Sequence, residues 1–145
     1  MPRILILNGP NLNLLGKRQP ELYGRMSFET YLEILRTRFP EVDFACYQSN
    51  HEGALIDVLQ AADGTYDAVV FNPAAYTHTS VALRDTVSAI DIPVAEVHIT
   101  DISRREDFRK ISYISDVAAF TIKGKGLEGY AEAVQKLLSL LSPHA

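Results

Sequence analysis

Five short apolar runs punctuate the chain: Ile4-Leu5-Ile6-Leu7, Val42-Asp43-Phe44-Ala45-Cys46, Ala68-Val69-Val70-Phe71, Val94-Ala95-Glu96-Val97 and Val117-Ala118-Ala119-Phe120. Runs this short, β-rich and apolar at successive positions, predict strands covered by helices on both faces. Between them the apolar residues recur at helical spacing. Helices are predicted over 28–39 behind the N-cap candidate Ser27, over 51–62 behind Asn50, over 79–89 and over 127–141, with Pro40 and Pro93 marking exits. Ser103-Arg104-Arg105-Glu106 matches the capping-box pattern and predicts a shorter helix there.

This alternation is what a parallel sheet with crossover helices requires, and it reads as five βα units of an α/β protein. Five strands in 145 residues predict a flavodoxin-like three-layer sandwich, its parallel sheet in the order 2-1-3-4-5 and its crevice at the carboxyl ends of the strands. The length suits a single domain over 1–145, and the chain carries no repeat, linker or low-complexity tract.

Apolar residues at 47% and charged residues at 22% are the ordinary globular mixture. A net charge of -4 without a Lys/Arg run argues against a nucleic-acid partner, so any anion site is a local one. No run approaches the length of a membrane span and no signal-peptide pattern is present, which predicts a cytoplasmic protein with no membrane partner. Cys46 stands alone, is expected to be a small buried hydrophobe, and offers no disulfide. The four histidines, His51, His78, His98 and His144, show no ligand spacing, so no metal is expected. Phosphate-loop and serine-elbow motifs are missing too, and Gly124-Lys125-Gly126 is at best a weak anion nest.

Polar residues collect after three of the strands. The segment from Asn8 to Gly24 far exceeds the roughly 2–6 residues usual for a βα loop and predicts a lid. Residues 72–80 follow the third strand, and His98-Ile99-Thr100-Asp101 follow the fourth. Taken singly, an Asn, Gly or Pro here reads as turn chemistry, His78 as a helix cap and His98 as a satisfied buried histidine. The convergence of a Tyr, an Arg, two Asn and two His at neighbouring strand ends points instead to metal-free acid/base chemistry on a small anionic substrate. Glu96 and His98 stand two apart on one strand, so they lean to the same face, where a carboxylate orients an imidazole.

The segments LNGPNLNLLGKRQPELYG, QSNHEG, NPAAYTHTSVALRD and EVHITDISRREDFR closely resemble type II 3-dehydroquinate dehydratase, in that family's order and over nearly the whole chain. The resemblance implies a flavodoxin-like single catalytic domain, cofactor-free, assembled as a homododecamer built as a tetramer of trimers. It implies a hydro-lyase that converts 3-dehydroquinate to 3-dehydroshikimate through an enolate, in aromatic amino acid biosynthesis or quinate breakdown. By that likeness Tyr23 is the base, Asn11 and Pro10 hold a water that steadies the enolate, and His98 protonates the departing hydroxyl. Asn72, His78 and Arg109 resemble residues that hold substrate hydroxyls, Ile99 and Thr100 those that hold its carboxylate, and Asp85 one that reaches a neighbouring subunit's site.

A free tyrosine is only about 0.1% phenolate at neutral pH, so the base needs an activator. Arg18, five residues before Tyr23, is the candidate, because a guanidinium within about 4–6 Å lowers such a pKa by roughly 1–3 units. The chain departs from the common family pattern at Gln19, Ala74, Thr100 and Asp101. Asp101 alone adds a charge, which weakens anion binding unless Arg104, Arg105 or Arg109 offsets it.

Two other classes fit the fold. A phosphoacceptor receiver module is disfavoured by Asn72 and Asn8 where acidic residues belong, and a non-catalytic quinate- or shikimate-binding module by the intact Tyr23, Arg18 and His98. The lysine Schiff-base route to the same product needs a barrel of roughly 250 residues.

Overall fold

The computed structural model describes residues 1–17, 21 and 25–142. Five strands, β1 (Arg3–Asn8), β2 (Asp43–Gln48), β3 (Ala68–Asn72), β4 (Val94–His98) and β5 (Phe120–Lys123), form one parallel sheet in the order β2-β1-β3-β4-β5. With helices on both faces, this is the expected flavodoxin-like three-layer α/β sandwich.

Side chains alternate across the sheet, and β1 shows how that builds two cores. Ile4 and Ile6 join the layer under α1 (Phe28–Arg38) and α4 (Glu128–Leu141), with Tyr31, Leu35, Val70, Tyr130 and Leu137. Leu5 and Leu7 join the opposite layer under α2 (Glu52–Ala62) and α3 (Val81–Ala89), with Leu55, Leu59, Val69, Phe71 and Leu83. Each fully buried aliphatic side chain contributes about 1.5–3 kcal/mol.

The structure moves several predicted boundaries. The fifth strand is Phe120–Lys123, three residues later than the run 117–120. Val117 and Ala118 donate to the Ile114 carbonyl and pack on the second core from a turn, so their apolarity serves burial outside the ladder. Ser27 caps α1 as expected, accepting from the Thr30 amide. At α2 the cap position belongs to His51, because the Asn50 carboxamide is engaged elsewhere. Ser80, accepting from the Leu83 amide, starts α3 two residues later than expected.

The capping-box expectation at Ser103 fails. Asp101 caps there, accepting from the Ser103 amide, and Ile102–Arg104 and Asp107–Arg109 form 3-10 turns. No apolar periodic stripe follows Ser103, so a longer helix would have nothing to bury. Among the described residues, four α-helices stand where five βα units were read, and none is long and apolar enough to cross a membrane. Cys46 is exposed, contrary to expectation, because β2 is an edge strand with little cover over its second half.

Candidate active site

The strand order reverses at β1, which pairs with β2 on one side and β3 on the other. Loops leaving the carboxyl ends diverge there and open a crevice. A cavity of about 180 Å³ occupies it, lined by Pro10, Asn11, Asn72, His78, His98, Ile99, Thr100 and Arg109 together with Leu12, Ala74, Ala75, Ile102 and Arg105. Tertiary structure therefore gathers most of the expected site residues from three separate loops.

His98 ends β4, 4% exposed, and its Nε2 lies 2.5 Å from Glu96 Oε2. An ionised carboxylate only accepts, so Nε2 carries the proton and Nδ1 is left for the cavity. Glu96 is fully buried and each oxygen is doubly satisfied. Ser112 Oγ donates to Oε2 at 2.8 Å, and Ser115 Oγ and Thr121 Oγ1 donate to Oε1 at 2.6 and 2.8 Å. Burial pushes this acid up, but the His98 hydrogen bond and charge, with the serine hydroxyls, outweigh it and hold the pKa at about 2. The pair is thus a fixed anion behind an imidazole.

Thr121 reaches Glu96 because β5 pairs with β4 in the register Glu96 to Thr121. Ser112 also accepts from the Ile114 and Ser115 amides, so its hydroxyl both closes a turn and supports the carboxylate. None of these three hydroxyls was found from the sequence. They lie 16 to 25 residues beyond Glu96, and an isolated Ser or Thr carries no local signal.

His78 closes the 3-10 segment Ala74–His78, with Nδ1 2.7 Å from the Ile111 carbonyl. That carbonyl accepts, which leaves Nε2 as an acceptor toward the cavity. Burial lowers the His78 pKa, and the charges of His98 and Arg109 lower it further against the opposing carbonyl, which favours the neutral ring. Arg109 is held by an ion pair from its Nε to Glu106 and stacks over the Phe108 ring.

Asn11 sits in the left-handed region at φ 69°, a conformation asparagine tolerates, and its amide donates to Asn50 Oδ1 at 3.0 Å. Gln48 Nε2 reaches the Gly9 carbonyl and the same Asn50 oxygen, and the Tyr76 hydroxyl donates to the Asn50 carbonyl at 2.8 Å. The end of β2 therefore braces the first loop against the third. Gln48, Asn50 and Tyr76 were not assigned a role in the site from sequence, where Asn50 was read only as a helix cap, although the first two fall in the motif QSNHEG.

Gly124 and Gly126 donate their amides to the His98 and Ile99 carbonyls, at 3.3 and 3.0 Å. The glycine turn thus holds the end of β4 and is not an anion nest. Asp85 is exposed on α3 and is not part of the cavity lining. Tyr23 and Arg18 lie outside the described residues.

A model described as dehydroquinase class II matches residues 2–138. The chain belongs to the class II dehydroquinase family. A protein of Ruegeria pomeroyi named 3-dehydroquinate dehydratase is 49% identical, over 99% of this chain and 97% of its own length. A protein of Aspergillus flavus named catabolic 3-dehydroquinase 2 is 51% identical, over 97% and 95%. The crystal structure of type II dehydroquinase from Butyrivibrio crossotus matches with a TM-score of 0.92 at 42% identity, covering 95% of this chain and 98% of that one.

Against that class II dehydroquinase background the departure at Asp101 has a local outlet. Its carboxylate accepts from the Ser103 amide and hydroxyl, at 3.0 and 2.5 Å, and lies 3.9 Å from Arg104 Nε. The Ser103 hydrogen bond, with Lys123 and Arg104 nearby, lowers its pKa. Asp101 does not line the cavity, whereas Arg105 and Arg109 do.

Proposed function

We propose that this chain is a cofactor-free hydro-lyase that removes water from 3-dehydroquinate to give 3-dehydroshikimate, as a single catalytic domain over 1–145. The observation that carries this reading is the buried His98–Glu96 pair set in a cavity lined by Asn11, Asn72, His78 and Arg109, in a chain of the class II dehydroquinase family. A receiver module has no use for an imidazole backed by a saturated carboxylate.

In this mechanism the Tyr23 phenolate, favoured by the Arg18 guanidinium, takes the proton from the carbon beside the ketone. The electron pair moves onto the ketone oxygen as an enolate, steadied by a water held near Asn11 and Pro10. Collapse of the enolate forms the carbon–carbon double bond and expels the hydroxyl, which leaves as water with the Nδ1 proton of the His98 imidazolium, whose Nε2 proton stays hydrogen-bonded to Glu96. Glu96 positions and supports the imidazole. Asn72, the acceptor nitrogen of His78, and Arg109 hold the substrate hydroxyls, and the Ile99 backbone with the Thr100 hydroxyl holds its carboxylate. Asp85, exposed on α3, is assigned to the site of a neighbouring subunit, in a homododecamer made as a tetramer of trimers. The place of action is the cytoplasm, in aromatic amino acid biosynthesis or quinate breakdown.

The test is direct. Purified protein given 3-dehydroquinate is expected to raise the ultraviolet absorbance of a conjugated enone, with no loss on adding EDTA or borohydride. Tyr23→Phe is expected to lower turnover roughly 10²–10⁴-fold with substrate still bound. Inactivation by borohydride or EDTA, or full turnover by Tyr23→Phe, refutes the mechanism.

A further inference from the structure

Asn8 and Asn72 end β1 and β3 in register with each other, and both are buried. A third buried group lies against them, the phenol of Tyr130 from α4, which is 0% exposed. Tyr130 Oη donates to Asn8 Oδ1 at 2.8 Å and accepts from Asn72 Nδ2 at 3.0 Å. Burial pushes the phenol's pKa well up, which favours the protonated form that donates.

The orientation of the Asn72 carboxamide is decided by a neighbour that has no choice of role. The Ala74 backbone N–H can only donate, and it donates to Asn72 Oδ1 at 3.0 Å. Nδ2 therefore faces Tyr130 and gives it one hydrogen, leaving one hydrogen for the cavity that Asn72 lines. Were the carboxamide reversed, two donors would meet at Ala74, at a cost typical of an unsatisfied buried group.

We propose that Tyr130 is a positioning residue for the reaction, holding Asn72 as a hydrogen-bond donor to a substrate hydroxyl oxygen. This rests on the cavity being the 3-dehydroquinate site. Asn72 then offers a donor where His78 offers an acceptor, so the two read complementary sides of the substrate's hydroxyl groups. The same chain passes from α4 through Asn72 to Ala74, the residue that starts the 3-10 segment carrying His78. Tyr130 lies 58 residues from Asn72 and 122 from Asn8, and its ring belongs to the first core with Phe28 and Tyr31.

The experiment is a double-mutant cycle on turnover of 3-dehydroquinate with Tyr130→Phe, Asn72→Ala and both, with thermal melting of each variant. Tyr130→Phe is expected to raise KM about 5–20-fold with a smaller change in kcat, since the contact serves ground state and transition state alike. In the Asn72→Ala background it is expected to add less than about a twofold change. An unchanged KM, or the same factor in both backgrounds, overturns the proposal and makes the phenol a packing group only. If Tyr130→Phe does not fold, Asn8→Ala tests the chain from its other end, with KM expected to rise about threefold or more and an unchanged KM overturning the proposal. A wild-type protein without turnover brings down the underlying functional reading as well, which separates the two failures.

Discussion

Glu96 Oε2 and His98 Nε2 stand 2.5 Å apart, two residues apart on one strand, in the buried end of the sheet. The remaining lone pairs of that carboxylate are filled by Ser112, Ser115 and Thr121. The imidazole is thereby fixed in one orientation, Nε2 on Glu96 and Nδ1 toward the cavity, before any substrate arrives.

Glu96→Gln keeps the shape and removes the charge. Its oxygen can face His98 while its amide faces the Ser115 and Thr121 hydroxyls, which can rotate to accept. Folding is expected to survive, and kcat to fall roughly 10²–10⁴-fold, as for loss of an orienting carboxylate in a hydrolase triad. Steady-state kinetics beside a melting curve checks this, and wild-type kcat would exclude Glu96 as the orienting group.

Acid stability follows from the same carboxylate. Its folded pKa of about 2 lies below the ordinary 4.5, so its contribution is complete above about pH 4.5 and is lost as pH falls toward 2. By pH 3 the wild-type protein is expected to have lost about 2 kcal/mol on this account. Glu96→Gln lacks this slope. Urea midpoints at pH 7 and pH 3 measure it, and parallel losses in the two proteins would contradict the assignment.

Ala74 occupies the left-handed region at φ 54°, anchored there by Asn72 Oδ1. The left-handed helical conformation costs a residue with a Cβ roughly 1–2 kcal/mol, partly offset by the greater unfolded entropy of glycine. Ala74→Gly is expected to raise stability by up to about 1 kcal/mol, read as a higher melting temperature. A lower one would mean that the methyl's packing on the first core outweighs the strain.

Gly9 donates its amide to the Asn72 carbonyl at 2.8 Å, and a Cβ there would lie 2.6 Å from the Pro73 oxygen. Because the obstacle is backbone, it cannot swing aside. Gly9→Ala is expected to destabilise by about 1–3 kcal/mol and to lower kcat/KM, since Pro10 and Asn11 move with it. Unchanged melting would show that the two loops separate freely.

Periodicity along the chain was enough to specify the α/β class and the five strands, because strand spacing and apolar face are written into neighbouring residues, whereas the sheet order came from the fold class and not from any residue pattern. The i and i+2 spacing of Glu96 and His98 likewise determined that they share a face. Where local signals misled, burial had decided otherwise: the run 117–120 packs from a turn, and Ser103 has no stripe behind it to make a helix.

What only tertiary structure decided is which distant polar groups meet. Register between β4 and β5 brings Thr121 to Glu96, and the packing of α4 under β1 and β3 brings Tyr130 to Asn8 and Asn72. A hydrogen bond depends on ångström-scale placement and direction, which separations of 25 to 122 residues along the chain do not encode. Most of the polar residues of the pocket were legible one by one, while the tautomers and amide orientations that give them their chemistry came from those long-range contacts.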